Sequence, residues 1–143
     1  VSHGLQGQIP PTLFENKINL LNVSSMFAGQ NGISGELSGD LFRFNPNIEN
    51  LASTFGGCSG IASIGDGYLS NNKKVNNVYW MFYGCSNMTG TMTPIWTNNV
   101  CPNIPASDNT KYQECFHNCK KLSNYSTEIP TQWGGGYVPS VEE

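Results

Sequence analysis

Charged side chains are scarce in this sequence. Only 12% of its 143 residues are Asp, Glu, Lys or Arg, and the formal net charge is -3. No Lys/Arg cluster reaches the density that a nucleic-acid or anionic-membrane surface requires, so we expect no nucleic-acid partner. Solubility therefore has to come from neutral polar groups, which 18 Asn, 14 Ser and 9 Thr supply. The sequence also contains 16 Gly.

Long apolar runs and targeting signals are absent from the sequence as well. No stretch approaches the roughly 20 apolar residues that span a bilayer. A basic-then-apolar signal peptide is not found at Val1.

Patterns for catalysis and cofactor binding are also missing. The glycines around Cys58 do not have the spacing of a phosphate-binding loop. The acidic residues are scattered, without a visible pair, and His3 and His117 are the two histidines. A Cys–His nucleophile pair would need His117 within reach of a thiol and a third orienting group. We therefore expect a non-enzyme, with no catalytic residue and no cofactor.

What the sequence does contain is a repeat. Phe27, Phe55, Phe82 and Phe116 are separated by 28, 27 and 34 residues. Further columns keep their offsets from each phenylalanine. Three residues after the phenylalanines stand Gln30, Cys58, Cys85 and Cys119. Six residues after them stand Ile33, Ile61, Met88 and Leu122. Periods of 20 to 50 residues are typical of stacked architectures in which no unit buries its own apolar face.

The first residues follow the same register. Residues 3–14 align without gaps on residues 31–42, an offset of 28. The chain thus starts within a repeat, and we expect more repeats or another domain before Val1. At this N-terminal edge we expect an apolar surface that flanking repeats or a homo-oligomer contact would cover.

Each unit predicts a short helix followed by a short strand. In the segment NPNIENLASTF, Ile48, Leu51 and Phe55 form one helical stripe, with Asn45 or Asn47 as the N-cap. Ser107 or Asp108 is the predicted cap in the last unit. After the cysteine column the period changes to two, so ISGEL, LQGQI and MTGTM predict strands that point alternate side chains inward.

The residues Val75–Gly90 (VNNVYWMFYGCSNMTG), Leu21–Phe27 and Thr54–Gly65 carry a family resemblance. They resemble the BspA-like leucine-rich repeats of bacterial surface proteins, with a V-x-x-M-F-x-G-C-S-x-L core. The pattern fails at Gln30, where the family has Cys, and at an insert over about 97–108. The resemblance implies a leucine-rich-repeat fold displayed outside the cell, with adhesion as the usual role, and it transfers no catalytic residue.

The predicted fold class is an α/β solenoid, a leucine-rich-repeat-like stack of short parallel strands and short helices. It has about four to five repeats of 27–34 residues over residues 1–134, followed by a C-terminal tail at 135–143. The predicted function is an extracellular or cell-surface module that adheres to a host protein or glycan. The alternative is a structural or receptor-binding part of a phage tail fibre or similar particle, located in a virion.

The five cysteines allow more than one interpretation. An odd count excludes a fully intramolecular disulfide set. The column of Cys58, Cys85 and Cys119 favours buried packing over a metal or redox ladder. Cys115 and Cys119 flank His117 without the paired spacing of a zinc site, so we expect no metal. A disulfide that involves Cys101 stays open as an alternative.

Two groups of residues are predicted to bind the ligand. The first contains the outward side chains of the predicted strands. The second contains aromatic rings beside the core columns, which could stack on sugars if exposed. The candidates are Gln6, Gln8, Ser34, Glu36, Thr89 and Thr91 on the strands, and Trp80 and Tyr83 among the aromatic residues. Trp96 and Trp133 recur with Phe42, so we expect them in the core.

Overall fold

The computed structural model describes residues 4–138, and most of this range consists of turns and irregular coil. Two short parallel strands are present, β1 at Gly35–Leu37 and β2 at Ile61–Ile64. Two 3₁₀ helices follow at Asn109–Lys111 and Thr131–Trp133. His3 lies outside the described residues. No helix within residues 4–138 has the length and apolar character needed to cross a membrane.

The predicted α/β solenoid of leucine-rich-repeat type is wrong. Within the described residues there is no α-helix, and the only sheet has two strands of three and four residues. The chain forms a small domain made mostly of coil, instead of a stack of helix-and-strand repeats.

The predicted helices do not form because their backbone N–H groups donate in turn to a carbonyl three residues earlier and to a carbonyl of a distant segment. In an α-helix each N–H donates to the carbonyl four residues earlier. Here the N–H of Met26 donates to the Val23 carbonyl at 3.1 Å, three residues earlier, whereas the next N–H, of Phe27, donates to the distant Thr54 carbonyl at 2.9 Å. The same alternation continues at Phe55, which donates to Met81 at 2.9 Å. Every second N–H therefore joins two sequence-distant segments instead of extending a helix.

Left-handed residues also interrupt the predicted helices. Ser53 and Gly57 have φ values of 56° and 81°, whereas a right-handed helix needs negative φ throughout. Gly29, Gly84 and Asn118 occupy the position equivalent to Gly57, and all three have positive φ.

Asn45 is not an N-cap, because its side chain donates to the carbonyls of Phe14 and Lys17 at 3.0 and 2.9 Å. In the last unit Asp108 does cap the first 3₁₀ helix, as predicted, by accepting from Thr110 N at 3.1 Å.

The phenylalanine column is nevertheless formed. Phe27 and Phe55 lie with ring centroids 5.5 Å apart, Phe55 and Phe82 also 5.5 Å, and Phe82 and Phe116 5.8 Å. All four rings are buried. Offset-stacked aromatic pairs at such separations add to the free energy gained by burial itself. This column is the centre of the hydrophobic core.

The predicted strand segments lie side by side in parallel, although only two of them form a sheet. Gly35 pairs with Ile61 and Glu36 with Ser63. Isolated parallel bridges extend the series from Gly7–Ile33 to Ser63–Thr89 and Gly90–Leu122. The predicted alternation of inward and outward side chains is observed at Ile33–Leu37 and at Met88–Met92. In the first predicted strand, however, Leu5 is exposed instead of pointing inward.

Candidate binding surfaces

Four aromatic rings form one continuous row at the surface. We call this set, Tyr79, Trp80, Tyr83 and His117, the aromatic row. The Tyr79 and Trp80 ring centroids are 5.2 Å apart, those of Trp80 and Tyr83 4.3 Å, and those of Tyr83 and His117 4.3 Å. Adjacent planes differ by 25° at most. Trp80 is 37% exposed and is the one exposed Trp within residues 4–138.

The rings hold one another in place. Because their faces stack together, the row offers solvent its ring edges, which carry tyrosine hydroxyls, the indole N–H and the imidazole. His117 is also held by Glu114, whose Oε1 lies 2.9 Å from the imidazole Nδ1. Rigid aromatic side chains with a polar tip contribute contact area at low cost in conformational entropy. The aromatic row is therefore a preorganised amphipathic ridge.

Trp80 occupies a backbone conformation that is unfavourable for a bulky residue. Its φ is 58°, in the left-handed region, which costs an L-residue roughly 1–2 kcal/mol. Ser25, Ser53 and Glu114 take the same conformation at the equivalent positions, with φ of 59°, 56° and 54°. A small side chain would satisfy this turn at least as well. The conformation recurs in every unit, so what makes the tryptophan a candidate for a role beyond folding is the large, exposed ring that it places there.

The strand candidates lie along the parallel series described above. Gln6, Gln8, Ser34, Glu36, Thr89 and Thr91 are all exposed. Several of these side chains already bond to the neighbouring segment: Gln8 Nε2 donates to the Glu36 carbonyl at 3.0 Å, and Thr89 Oγ1 donates to the Ala62 carbonyl at 2.9 Å. Thr91 Oγ1 pairs with the Ser123 hydroxyl. A ligand at this face would have to compete with these internal hydrogen bonds.

Two hollows adjoin each other near the C-terminal end of the described chain. The polar hollow, of about 450 Å³, is lined by Ser107, Asn109, Tyr112, Gln113, Glu114, Thr131 and Gln132. A smaller hollow of about 220 Å³ shares Tyr112 and Gln132 with it and has Trp96 and Trp133 in its wall. Trp133 is buried, as predicted, and stacks on Tyr112 with centroids 4.8 Å apart. Trp96 is only half-buried, packed against the core.

The cysteine column is packed in the interior. The thiols of Cys58, Cys85 and Cys119 donate to the carbonyls of Phe27, Phe55 and Phe82 at 3.0, 3.2 and 3.1 Å. All five cysteines are free and buried. Burial raises the pKa of Cys58 to about 11 and that of Cys119 to about 12. Such thiols remain protonated at neutral pH, which disfavours nucleophilic or metal-binding roles.

Cys101, on the insert, is buried and free as well, so the alternative of a disulfide at this residue is not observed. Burial raises the pKa of its thiol to about 12. Residues 4–138 contain no group of three or more His, Cys, Asp or Glu side chains that could hold a metal ion.

The N-terminal edge exposes apolar side chains and open backbone carbonyls. Leu21 is 52% and Met26 44% exposed, and an apolar hollow of about 290 Å³ lies over Phe27 and Ile33. The carbonyls of Asn50, Ala52 and Thr54 each accept an N–H from the segment before them. Their equivalents, Asn22, Ser24 and Met26, accept no hydrogen bond from any other residue of the described range.

Sequence reasoning missed two members of the aromatic row, Tyr79 and His117. His117 follows Phe116 just as Tyr83 follows Phe82, at the same offset of 34 residues. Because the two phenylalanines stack, the residues after them are also brought together. The repeat register contained this signal. The sequence did not show that His117 stacks on Tyr83.

Comparison of the chain with protein-family models, curated proteins and solved structures found no match in any of the three. The resemblance to BspA-like proteins therefore stays a prediction from the motif.

Proposed function

We propose that this chain is a non-enzymatic binding module that adheres to a host protein or glycan outside the cell, with the aromatic row as its principal contact surface. The observation that carries the proposal is the stacked row of Tyr79, Trp80, Tyr83 and His117 at the surface. Trp and Tyr are the residues that most often dominate binding energy at interfaces.

The chemistry of the rest of the chain is consistent with binding alone. The thiols are buried, with pKa values raised by desolvation, and the clearest ionisable pair at the surface is His117 with Glu114. Trp80 has a strained φ of 58°, in a turn whose equivalents hold Ser25, Ser53 and Glu114. A large exposed ring at a position that favours a small residue is expected where the ring itself contacts a ligand.

The strand face is the secondary candidate within the same proposal. Gln8, Glu36 and Thr91 are exposed and polar, but two of the three side chains are engaged in internal hydrogen bonds. We expect this face to contribute less binding energy than the aromatic row.

We also propose a polypeptide partner for the N-terminal edge. The open carbonyls of Asn22, Ser24 and Met26 repeat the spacing of Asn50, Ala52 and Thr54, whose carbonyls accept N–H groups of the chain itself. The fitting partner is a segment that offers N–H groups at alternate residues and an apolar side chain over Phe27. The exposed Leu21 and Met26 side chains would be covered by the same contact.

The test is a binding array of host cell-surface glycans and proteins, probed with the wild type and with Trp80→Asn, Tyr83→Ala and a combined Gln8→Ala/Glu36→Ala/Thr91→Ala variant. Asparagine is chosen at position 80 because it tolerates positive φ. We expect the Trp80 and Tyr83 variants to lose about tenfold or more in affinity, and the combined strand variant to lose less. The proposal would be overturned if no glycan or protein on the array bound the wild type. It would also be overturned if Trp80→Asn bound its ligand as tightly as the wild type does.

A further inference from the structure

Two neighbouring residues that line the polar hollow also contact the aromatic row. Glu114 lines the hollow and also holds His117, the last ring of the row, at 2.9 Å. Gln113 lines the hollow too, and its carbonyl accepts the backbone N–H of Trp80 at 3.4 Å. The row and the hollow are therefore neighbouring parts of one surface.

The side chains in the hollow are suited to hydroxyl groups. Asn109, Gln113 and Gln132 provide amides, each with both donors and acceptors. None of these three amides bonds to another residue in the described range, and all three are exposed. Ser107 and Thr131 add hydroxyls. The volume of about 450 Å³ lies within the roughly 300–1,000 Å³ of small-molecule sites.

The charge of the hollow favours a neutral ligand. Glu114 is the one charged residue among those that line it, and its carboxylate already contacts His117. No Lys or Arg is present in the lining to bind a carboxylate or sulfate group. An anionic sugar would meet Glu114 without a compensating cation.

We propose that the aromatic row and the polar hollow together form one binding site for a neutral oligosaccharide. One sugar ring lies against the edges of Trp80 and Tyr83, and the next is hydrogen-bonded in the hollow by Gln113 and Gln132. This inference rests on the proposed function, because it names the ligand class of the same aromatic row.

The test compares neutral mono- and oligosaccharides with sialylated and sulfated ones by isothermal titration calorimetry. The variants are Gln113→Ala and Gln132→Ala in the hollow, Trp80→Asn in the row, and Asn16→Ala as a matched amide deletion at the opposite end of the chain. We expect the best neutral oligosaccharide to bind at least tenfold more tightly than its component monosaccharide. Both hollow variants should remove most of that difference, whereas Asn16→Ala should bind as the wild type does.

The outcomes separate this inference from the proposed function. Equal affinity for mono- and oligosaccharides, a preference for anionic sugars, or hollow variants without effect would overturn the oligosaccharide site. Trp80-dependent binding of a protein together with no binding of any glycan would overturn it too, while leaving the proposed function intact. If nothing binds in a Trp80-dependent manner, both fail.

Discussion

Phe55 and Phe82 lie with ring centroids 5.5 Å apart and planes 8° from parallel, although 27 positions separate them in the chain. The backbone supports the contact, because Phe55 N donates to the Met81 carbonyl at 2.9 Å. Ring stacking and hydrogen bonding therefore fix the same register. Since Trp80 and Tyr83 flank Met81 and Phe82, this register also positions the aromatic row.

The phenylalanine column should carry a large share of the stability. Phe82 contacts Phe55, Tyr68 and Phe116 and is fully buried. We expect Phe82→Ala to lower the free energy of unfolding by about 3–5 kcal/mol, because it leaves a cavity in the core. Urea unfolding followed by circular dichroism measures the change. Phe44→Ala, at a half-buried ring, is the matched control and should cost clearly less; equal losses would contradict a central role for the column.

A buried amide ties two segments together at Asn72. Its Nδ2 donates to the carbonyls of Phe42 and Asn45 at 3.0 and 2.9 Å. We expect Asn72→Ala to lower the free energy of unfolding by about 1–3 kcal/mol, because buried carbonyls lose their donor. Asn71→Ala, at the exposed neighbouring residue, should change it by less than about 0.5 kcal/mol. If the two variants unfold at the same urea concentration, the amide is not a structural contact.

Stability should fall at alkaline pH because of the buried thiols. Burial raises the pKa of Cys58 from 9.0 to about 11 and that of Cys119 from 9.0 to about 12. Above pH 9 the unfolded thiols lose protons that the folded state retains, so the unfolded state is favoured. These groups add no pH dependence below about pH 8. Melting temperatures from pH 7 to 11 measure the effect.

A Cys58→Ala/Cys119→Ala variant is the control for that titration, and its alkaline decline should be shallower. In the native protein at pH 8, we expect the cysteines to resist a thiol reagent, and all five to react after unfolding. Rapid labelling of Cys58 in the native state, or an alkaline decline that the double variant does not alter, would contradict the assignment.

The N-terminal edge should accept an added segment. In a variant in which a copy of residues 21–30 replaces residues 1–2, the copied N–H groups are in register with the open carbonyls of Asn22, Ser24 and Met26. We expect a higher melting temperature and weaker binding of a hydrophobic dye, because Leu21 and Met26 become covered. A second copy that carries Ser in place of its phenylalanine is the control. No gain from the first copy, or equal gain from both, would show that the edge is not a docking surface of this kind.

The sequence predicted the packing better than the fold class. Apolar residues at Ile48, Leu51 and Phe55 are buried as a helical stripe would place them, but a series of turns buries the same positions. The spacing alone could not distinguish the two. The distinguishing signal was Gly or Asn two residues after each phenylalanine, as at Gly57 and Asn118, where the backbone needs positive φ. Hydrogen bonds between distant segments leave no trace in local periodicity, so the alternating pattern could not be predicted.

The candidate site was predictable only in part. The sequence indicates Trp80 and Tyr83 because they flank the core columns, but only the structure shows that Trp80 is exposed and Tyr83 half-buried. The polar hollow combines the insert around Ser107 and Asn109 with the turn at Thr131–Gln132. These segments are brought together by the stacking of Trp133 on Tyr112. Because the insert lies outside the repeat register, the register could not indicate that the hollow forms there.

The most direct test of the binding surface is an NMR titration of the three tryptophan indole N–H signals with the ligand that binds best on the array. Trp80→Asn, which removes one signal, assigns Trp80. The aromatic row predicts a large shift of the Trp80 signal at saturation, while the signal of the buried Trp133 changes little. A ligand that saturates the protein without moving the Trp80 signal would contradict the central claim.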